Sequence, residues 1–263
     1  MSLLEARAIC LDVRNDLRIL NNVSLTIKRG ETLGIVGESG SGKTSLGRTL
    51  LRILEPSSGT LIFDGTDITH MPPAAMKLLR RRMQMIFQDP QSSLNPRHTI
   101  ARILAAPLHL HGFDYSDTII SRLLDRVGLP HSAMTRYPHQ LSGGQRQRVG
   151  IARAIALNPE FVVADEIVSG LDATTQAKIL ALLRTLKDEM GLALAFISHD
   201  LAVIRHICDR VIIMKAGEVV EEGETAKIFN SPASSFTKAL ISAIPPPTPD
   251  AGWLAREAPT AAG

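Results

Sequence analysis

Two cysteines in 263 residues, Cys10 and Cys208, leave no disulfide framework to build, and neither stands in a metal-ligating spacing. A reducing compartment is the simpler expectation. Charge of one sign is also missing: 29 basic and 26 acidic side chains give a net charge of +3, so bulk charge supports no nucleic-acid partner. No apolar run approaches the roughly 18 to 20 residues of a membrane-spanning helix. The first ten residues carry Glu5 and Arg7, which predicts no secretory leader. Internal repeats are absent, and Gly and Pro number only 19 and 15, against collagen-like, fibrous or disordered chains. What remains is 44% hydrophobic and 21% charged, a composition that builds a sizeable globular core. The exception is the tail around Pro245, Pro246, Pro247 and Pro249, which reads as extended.

Short β-rich runs are predicted at residues 8–13, 23–27, 32–36 and 61–63, the last leading into the hairpin dipeptide Asp64-Gly65. A helix over 43–54 follows the 32–36 strand through a glycine-rich turn. From Thr99 to about Pro138 the apolar period becomes helical (Ile100, Ile103, Leu104, then Ile119, Leu123, Leu124, Val127), reading as an inserted helical subdomain. Beyond it, helix and strand alternate: helix 142–157, strand 161–164, helix 174–190, strand 193–197, helix 201–207, strand 211–214. Such alternation predicts a mostly parallel sheet wrapped by helices, with ligands at the carboxyl ends of the strands. The run Arg80-Arg81-Arg82 reads as a solvated helix face. His109 and His111, two apart, make a poor metal pair on a helix.

Gly37-Glu38-Ser39-Gly40-Ser41-Gly42-Lys43-Thr44, followed by Ser45, fits GxxxxGK[ST] at a strand-to-helix junction. Its glycines let backbone N–H groups turn inward around phosphates, the helix start adds positive potential, Lys43 brings a point charge, and the Thr44 hydroxyl can ligate Mg²⁺. The apolar strand 161–164 ends on two adjacent carboxylates. Unpaired acids there are costly unless used, which makes Asp165 a candidate for Mg²⁺ and Glu166 a candidate base for an attacking water. Leu141-Ser142-Gly143-Gly144-Gln145 opens a long helix with a second anion cradle; an ordinary N-cap explains Ser142 but neither the paired glycines nor Gln145. The two cradles are expected on different edges of the fold, so that ATP drives pairing of two subunits.

With these strings the sequence resembles the ATP-binding subunits of ABC transporters, over almost the whole chain and in the family's order. Gln88, Ser169-Gly170-Leu171-Asp172 and His199 also match. The resemblance implies an α/β fold: a P-loop NTPase core of ABC type with an antiparallel β subdomain and an inserted helical subdomain. It implies an ATPase domain over 1–245, with the helical part at about 89–158, and a Pro-rich tail over 246–263. ATP and Mg²⁺ are the implied cofactors, with Thr44, Gln88 and Asp165 at the metal and Glu166, His199, Gln88 and Lys43 as catalytic groups. Each ATP would be held between the phosphate loop of one subunit and LSGGQ of another, in a homodimer or heterodimer, with Asp172 coupling the two sites. Phe87-Gln88-Asp89-Pro90, Ser92-Ser93-Leu94-Asn95-Pro96-Arg97, Arg136-Tyr137-Pro138-His139 and Ser235-Phe236-Thr237-Lys238-Ala239-Leu240 resemble the peptide and nickel importer branch. That branch implies two membrane permeases, a solute-binding protein acting through them, and a place at the cytoplasmic face of the membrane. Nickel or opine import, and a soluble ABC ATPase outside transport, are the alternatives. Three positions depart from the pattern. Arg14 stands where spacing places an aromatic ring against adenine, so its guanidinium is the candidate for stacking on the base; Ile167 replaces the usual proline; and no cysteine follows Cys208, which predicts no iron–sulfur cluster.

Overall fold

The computed structural model describes residues 2–13 and 17–243. Arg14 and the Pro-rich tail lie outside the described residues. Strands β1 (Ser2–Val13) and β2 (Leu17–Lys28) pair antiparallel and are longer than their apolar centres suggest. In β2 the inward set Leu20, Val23, Leu25 and Ile27 alternates with exposed residues, the pattern of a strand covered on one face. Strand β3 (Thr32–Gly37) is buried at every position and feeds helix α1 (Lys43–Leu50). Helix α1 stops four residues short of the sequence expectation because Arg52 takes a left-handed conformation (φ 52°) and the N–H groups of Leu51, Arg52 and Ile53 fold back onto helix carbonyls. Strands β4 (Ser58–Phe63) and β5 (Thr66–Asp67) form the hairpin, with Asp64 and Gly65 both at positive φ as a type I′ turn requires. The antiparallel sheet runs β2-β1-β4-β5.

Helix α2 (Pro73–Arg80) precedes β6 (Met83–Ile86), a strand that the sequence reading missed. Between β6 and β7 (Phe161–Asp165) the chain is helical: α3 (Pro90–Ser93), α4 (Ile100–Leu110), α5 (Asp117–Arg126) and α6 (Gly143–Ile155). Then follow α7 (Ala173–Met190), β8 (Ala193–Ile197), α8 (Leu201–Ile207), β9 (Arg210–Lys215), β10 (Glu218–Glu224), α9 (Thr225–Asn230) and α10 (Ser235–Ser242). The second sheet is ordered β10-β9-β3-β8-β7-β6, parallel except for the β9–β10 hairpin. Its parallel strands are covered on both faces. Ile35, Val163, Ala195 and Ile197 pack with Leu4, Ile9, Leu46 and Phe63 toward the antiparallel sheet. Val36, Val162, Phe196 and Ile213 pack with Leu104, Leu124, Val149 and Ile155 toward the helices.

One reading is corrected at the arginine run. Arg80 and Arg81 are exposed, but Arg82 is not part of a solvated helix face: its guanidinium lies 4.9 Å from the Phe63 ring centroid and pairs with both Asp64 (2.6 Å) and Glu160. Arg29 closes the ring, 2.5 Å from Asp64 and 2.6 Å from Glu160. Two guanidiniums and two carboxylates thus tie the β4–β5 turn to the starts of β6 and β7.

Candidate functional site

Strand order decides which residues meet. In the row β3-β8-β7-β6 all four strands are parallel, so their carboxyl ends reach one edge of the sheet. Ile35 is in register with Ile197, and Ile197 with Asp165. Whatever follows each strand therefore converges: the phosphate loop after β3, His199 after β8, Asp165 and Glu166 at β7, and Gln88 after β6. A cavity of about 480 Å³ opens there, lined by Ile19, Ser39, Gly40, Gly42, Lys43, Thr44, Ser45, Gln88, Glu166 and His199.

The phosphate loop owes its shape to glycine. Gly40 and Gly42 lie at φ 79° and 96°, where a side chain is strained. A Cβ on Gly37 would fall 2.2 Å from the carbonyl oxygen of Met214. Lys43 is buried, and its Nζ donates to the carbonyl oxygens of Gly37 (2.8 Å) and Glu38 (2.7 Å), which holds the ammonium within the loop. Burial lowers its pKa, opposed by the charges of Glu166 and Asp165. The Thr44 hydroxyl donates to Asp165 Oδ1 at 3.1 Å. Asp165 is buried, and desolvation, helped by the neighbouring charge of Glu166, pushes its pKa up. An acid in that state, bonded to a hydroxyl, is a hard-oxygen pair short of positive charge, and it fits Mg²⁺, which takes one or two protein oxygens and completes its shell with phosphate and water.

Glu166 is reached from two sides. Gln88 Nε2 donates to its Oε2 at 3.0 Å, and His199 Nδ1 stands 3.3 Å from its Oε1. Its own backbone lies at φ 46°, a sparsely populated region for a non-glycine residue, pinned by its N–H donating to Ile197 O (2.9 Å). Ile167, at the position of the expected proline, is fully buried in the helix-side core and leaves both carboxylates at the strand end. Gln88 meets Glu166 rather than Asp165 in this structure.

The Ser142 segment lines no part of this cavity. It shows more local purpose than its sequence suggested. Ser142 Oγ accepts from Gln145 N (3.3 Å) while Gln145 Oε1 accepts from Ser142 N (2.9 Å), a capping box at the start of α6, so Gln145 does have an N-capping role. A Cβ on Gly144 would stand 2.5 Å from Thr175 Cγ2, which accounts for that glycine by helix packing against α7. A Cβ on Gly143 would meet nothing closer than 3.7 Å, so packing gives no reason for a glycine there. Asp172 caps α7, its Oδ1 accepting from Thr175 N (2.9 Å) and its Oδ2 from Thr175 Oγ1 (2.7 Å).

Ile19 is the lining residue that sequence reasoning missed. It sits on β2, and its only signal was its place in an alternating strand. Gly37, Glu38, Ser41 and Asp165 do not line the cavity; Gly37 and Glu38 act on it through the Lys43 ammonium, and Asp165 through the Thr44 hydroxyl.

A family model described as ABC transporter matches residues 20–169. A Brucella ovis protein provisionally named a peptide import ATP-binding protein is 50% identical over 238 residues, which cover 89% of this chain and 75% of the relative. The oligopeptide transport ATP-binding protein AppF of Bacillus subtilis is 46% identical over 235 residues, covering 88% and 71%. Among solved structures, cbiO1 of Clostridium perfringens, part of the cbiONQ ABC transporter complex, aligns with a TM-score of 0.78 at 28% identity, over 88% of this chain and 91% of that one. The dimeric ATP-binding cassette MJ0796, in a post-hydrolysis state bound to ADP and Pi, aligns at 0.77 and 29%, over 84% and 98%. With its phosphate loop, acidic strand end and capped glycine pair in one order, and with these matches over most of its length, the chain belongs to the ABC transporter family, as one of its ATP-hydrolysing cassettes.

Proposed function

We propose that this cassette drives import of peptides through partner permeases, by hydrolysing ATP at the edge formed by β3, β8, β7 and β6. The observation that carries the catalytic part is Glu166, held between Gln88 and His199 at the mouth of the phosphate loop. Lys43 and the loop N–H groups of residues 39–45 take the β- and γ-phosphates, and Thr44 and Asp165 hold Mg²⁺. Bound there, Mg²⁺ neutralises charge on the phosphate oxygens. Glu166 accepts a proton from the attacking water, Gln88 orients that water, and His199 donates to the transferred phosphoryl group. Because Ser142 and Gly143 lie outside the cavity, a second subunit supplies them across the nucleotide, as a like or unlike partner. No helix among the described residues is long and apolar enough to cross a membrane. In this reading the pore belongs to the permeases, and the chain acts peripherally beneath them. The names of the Brucella and Bacillus relatives support peptide as the cargo.

The test is reconstitution of the chain with the permeases and the solute-binding protein encoded beside it in sealed vesicles holding ATP and Mg²⁺. Labelled oligopeptide should accumulate only with ATP, and the ATPase rate should rise when the binding protein carries peptide. Uptake of a nickel chelate in place of peptide would overturn the cargo; ATP-independent uptake would overturn the coupling.

A further inference from the structure

Gln88 sits on a loop that leaves the sheet after Ile86 and passes into helix α3. Phe87, Gln88, Asp89 and Ser92 are all exposed, so burial of these side chains does little to hold the loop in place. One side chain from a rigid element meets it at both ends. Arg153 stands in the last turn of α6, between the buried residues Ala152 and Ala154, on a helix that Val149, Ile151 and Ile155 fix in the core. Its Nη1 donates to the carbonyl oxygen of Ser93, the last residue of α3, at 2.5 Å. Its guanidinium carbon lies 5.7 Å from the ring centroid of Phe87, the first residue after β6. Between these two contacts lies Gln88, whose Nε2 donates to Glu166 Oε2 at 3.0 Å. Arg153 is half-buried and desolvation lowers its pKa, so its charge is kept there at a cost that an apolar side chain of similar length would avoid. Packing α6 against α3 needs no cation. What arginine adds is a planar fork, able to bond a carbonyl with one nitrogen while the same plane lies near a ring.

We propose that Arg153 is a positioning residue for ATP hydrolysis: by clasping the 87–93 loop at both ends, it sets the Gln88 amide against Glu166. Arg153 does not line the nucleotide cavity, and it acts on the reaction only through Gln88. The charge-assisted bond to Ser93 O fixes where the loop ends, and the contact with Phe87 fixes the direction in which it leaves the sheet. Gln88 is then delivered to the cavity from a frame anchored in the core. The inference rests on the role given to Gln88 under the proposed function, namely orientation of the attacking water.

The experiment is a cycle of variants in the reconstituted transporter, with phosphate release followed over a range of ATP concentrations and urea unfolding measured on each purified chain. The variants are Arg153→Met, Gln88→Ala and the two together. A misplacement of about 1 Å in a positioned group can cost about 100-fold in rate, so Arg153→Met should lower kcat by about 10-fold to 100-fold. The KM for ATP should stay within about twofold, because the phosphate loop is untouched. In the Gln88→Ala background the same change should cost less than about twofold more, since the group it positions is already gone. Phe87→Leu, which removes the ring and leaves the cation its carbonyl, serves as a second probe where Arg153→Met folds poorly; it should lower kcat by a few-fold, again only while Gln88 is present. Wild-type kcat in both Arg153→Met and Phe87→Leu would overturn the proposal. So would a loss of equal size with and without Gln88, or a rise in KM that tracks the loss of urea stability, which would leave Arg153 a purely structural part. Wild-type turnover by Gln88→Ala would overturn the role of Gln88 itself, an outcome separate from a slow Gln88→Ala on which Arg153→Met still acts in full.

Discussion

Replacing Glu166 by Gln exchanges one oxygen for an amide nitrogen and leaves the volume of the side chain unchanged. The surroundings accept the exchange. Gln88 Nε2, 3.0 Å from the present carboxylate, can donate to the new amide oxygen, and the amide nitrogen can face His199 Nδ1, now 3.3 Å away, when that ring nitrogen is an acceptor. What disappears is the proton acceptor. A positioned general base is worth about 10² to 10⁴ in rate, or about 2.7 to 5.4 kcal/mol of transition-state stabilisation. Nucleotide binding should be retained or strengthened, because the lost charge lies close enough to act on Lys43 and adds to the negative potential that the phosphates meet. The variant should therefore hold ATP, accumulate as an ATP-bound pair, and release phosphate at least about 100-fold more slowly than the wild type. Steady-state phosphate release, a single-turnover experiment with excess enzyme, and a binding titration measure the three quantities separately. A kcat within tenfold of the wild type would remove Glu166 from the role of base. Loss of ATP binding would show instead that its charge supports the loop.

Ser142→Arg should leave nucleotide binding by the single subunit unchanged while abolishing hydrolysis and ATP-dependent pairing; loss of binding in a titration would place Ser142 in the same half-site as Lys43. Gly144→Ala drives a methyl against Thr175 Cγ2, 2.5 Å away, and should cost about 1 to 3 kcal/mol in urea unfolding. Thr175→Ser removes that methyl and keeps the hydroxyl on Asp172, so the double variant should regain most of the loss; no recovery would mean that α6 and α7 do not meet through this pair. For the ion-pair ring, Arg82 holds the Glu160 and Asp64 carboxyls below their ordinary ranges through its hydrogen bonds, with Arg29 assisting. Both folded values lie below the unfolded ones, so the stabilisation is complete above the ordinary carboxylate range and is lost as pH falls through the folded values. Arg82→Met should cost about 1 kcal/mol at pH 7 after allowance for solvent screening of side chains about a third exposed, and less by pH 3; an equal loss at both pH values would assign Arg82's contribution to its packing on Phe63.

Much of this molecule was legible from neighbours in sequence. The phosphate loop, the acidic end of the 161–164 strand, the Asp64-Gly65 turn and the start of α6 are encoded within a few residues, in glycine conformations, cap hydroxyls and apolar period. Strand Ala193–Ile197 and helix Leu201–Ile207 lie within the bounds their periodicity set. The tertiary structure alone decided the rest, because it depends on groups far apart in the chain whose pairing is settled by burial. Met83–Ile86 is four residues long behind three arginines and becomes a strand only because β7 offers it an edge. Gln88, Glu166 and His199 meet through the order β6-β7-β8, which no local pattern contains. Arg82 looks like part of a solvated charge run until Asp64 and Glu160 are folded against it, and Gly144 looks like part of an anion cradle until Thr175, 31 positions later, fills the space that a side chain would need. Local codes settle which backbone shapes are available; the closing of a two-faced sheet, with apolar layers on both sides, selects the partners.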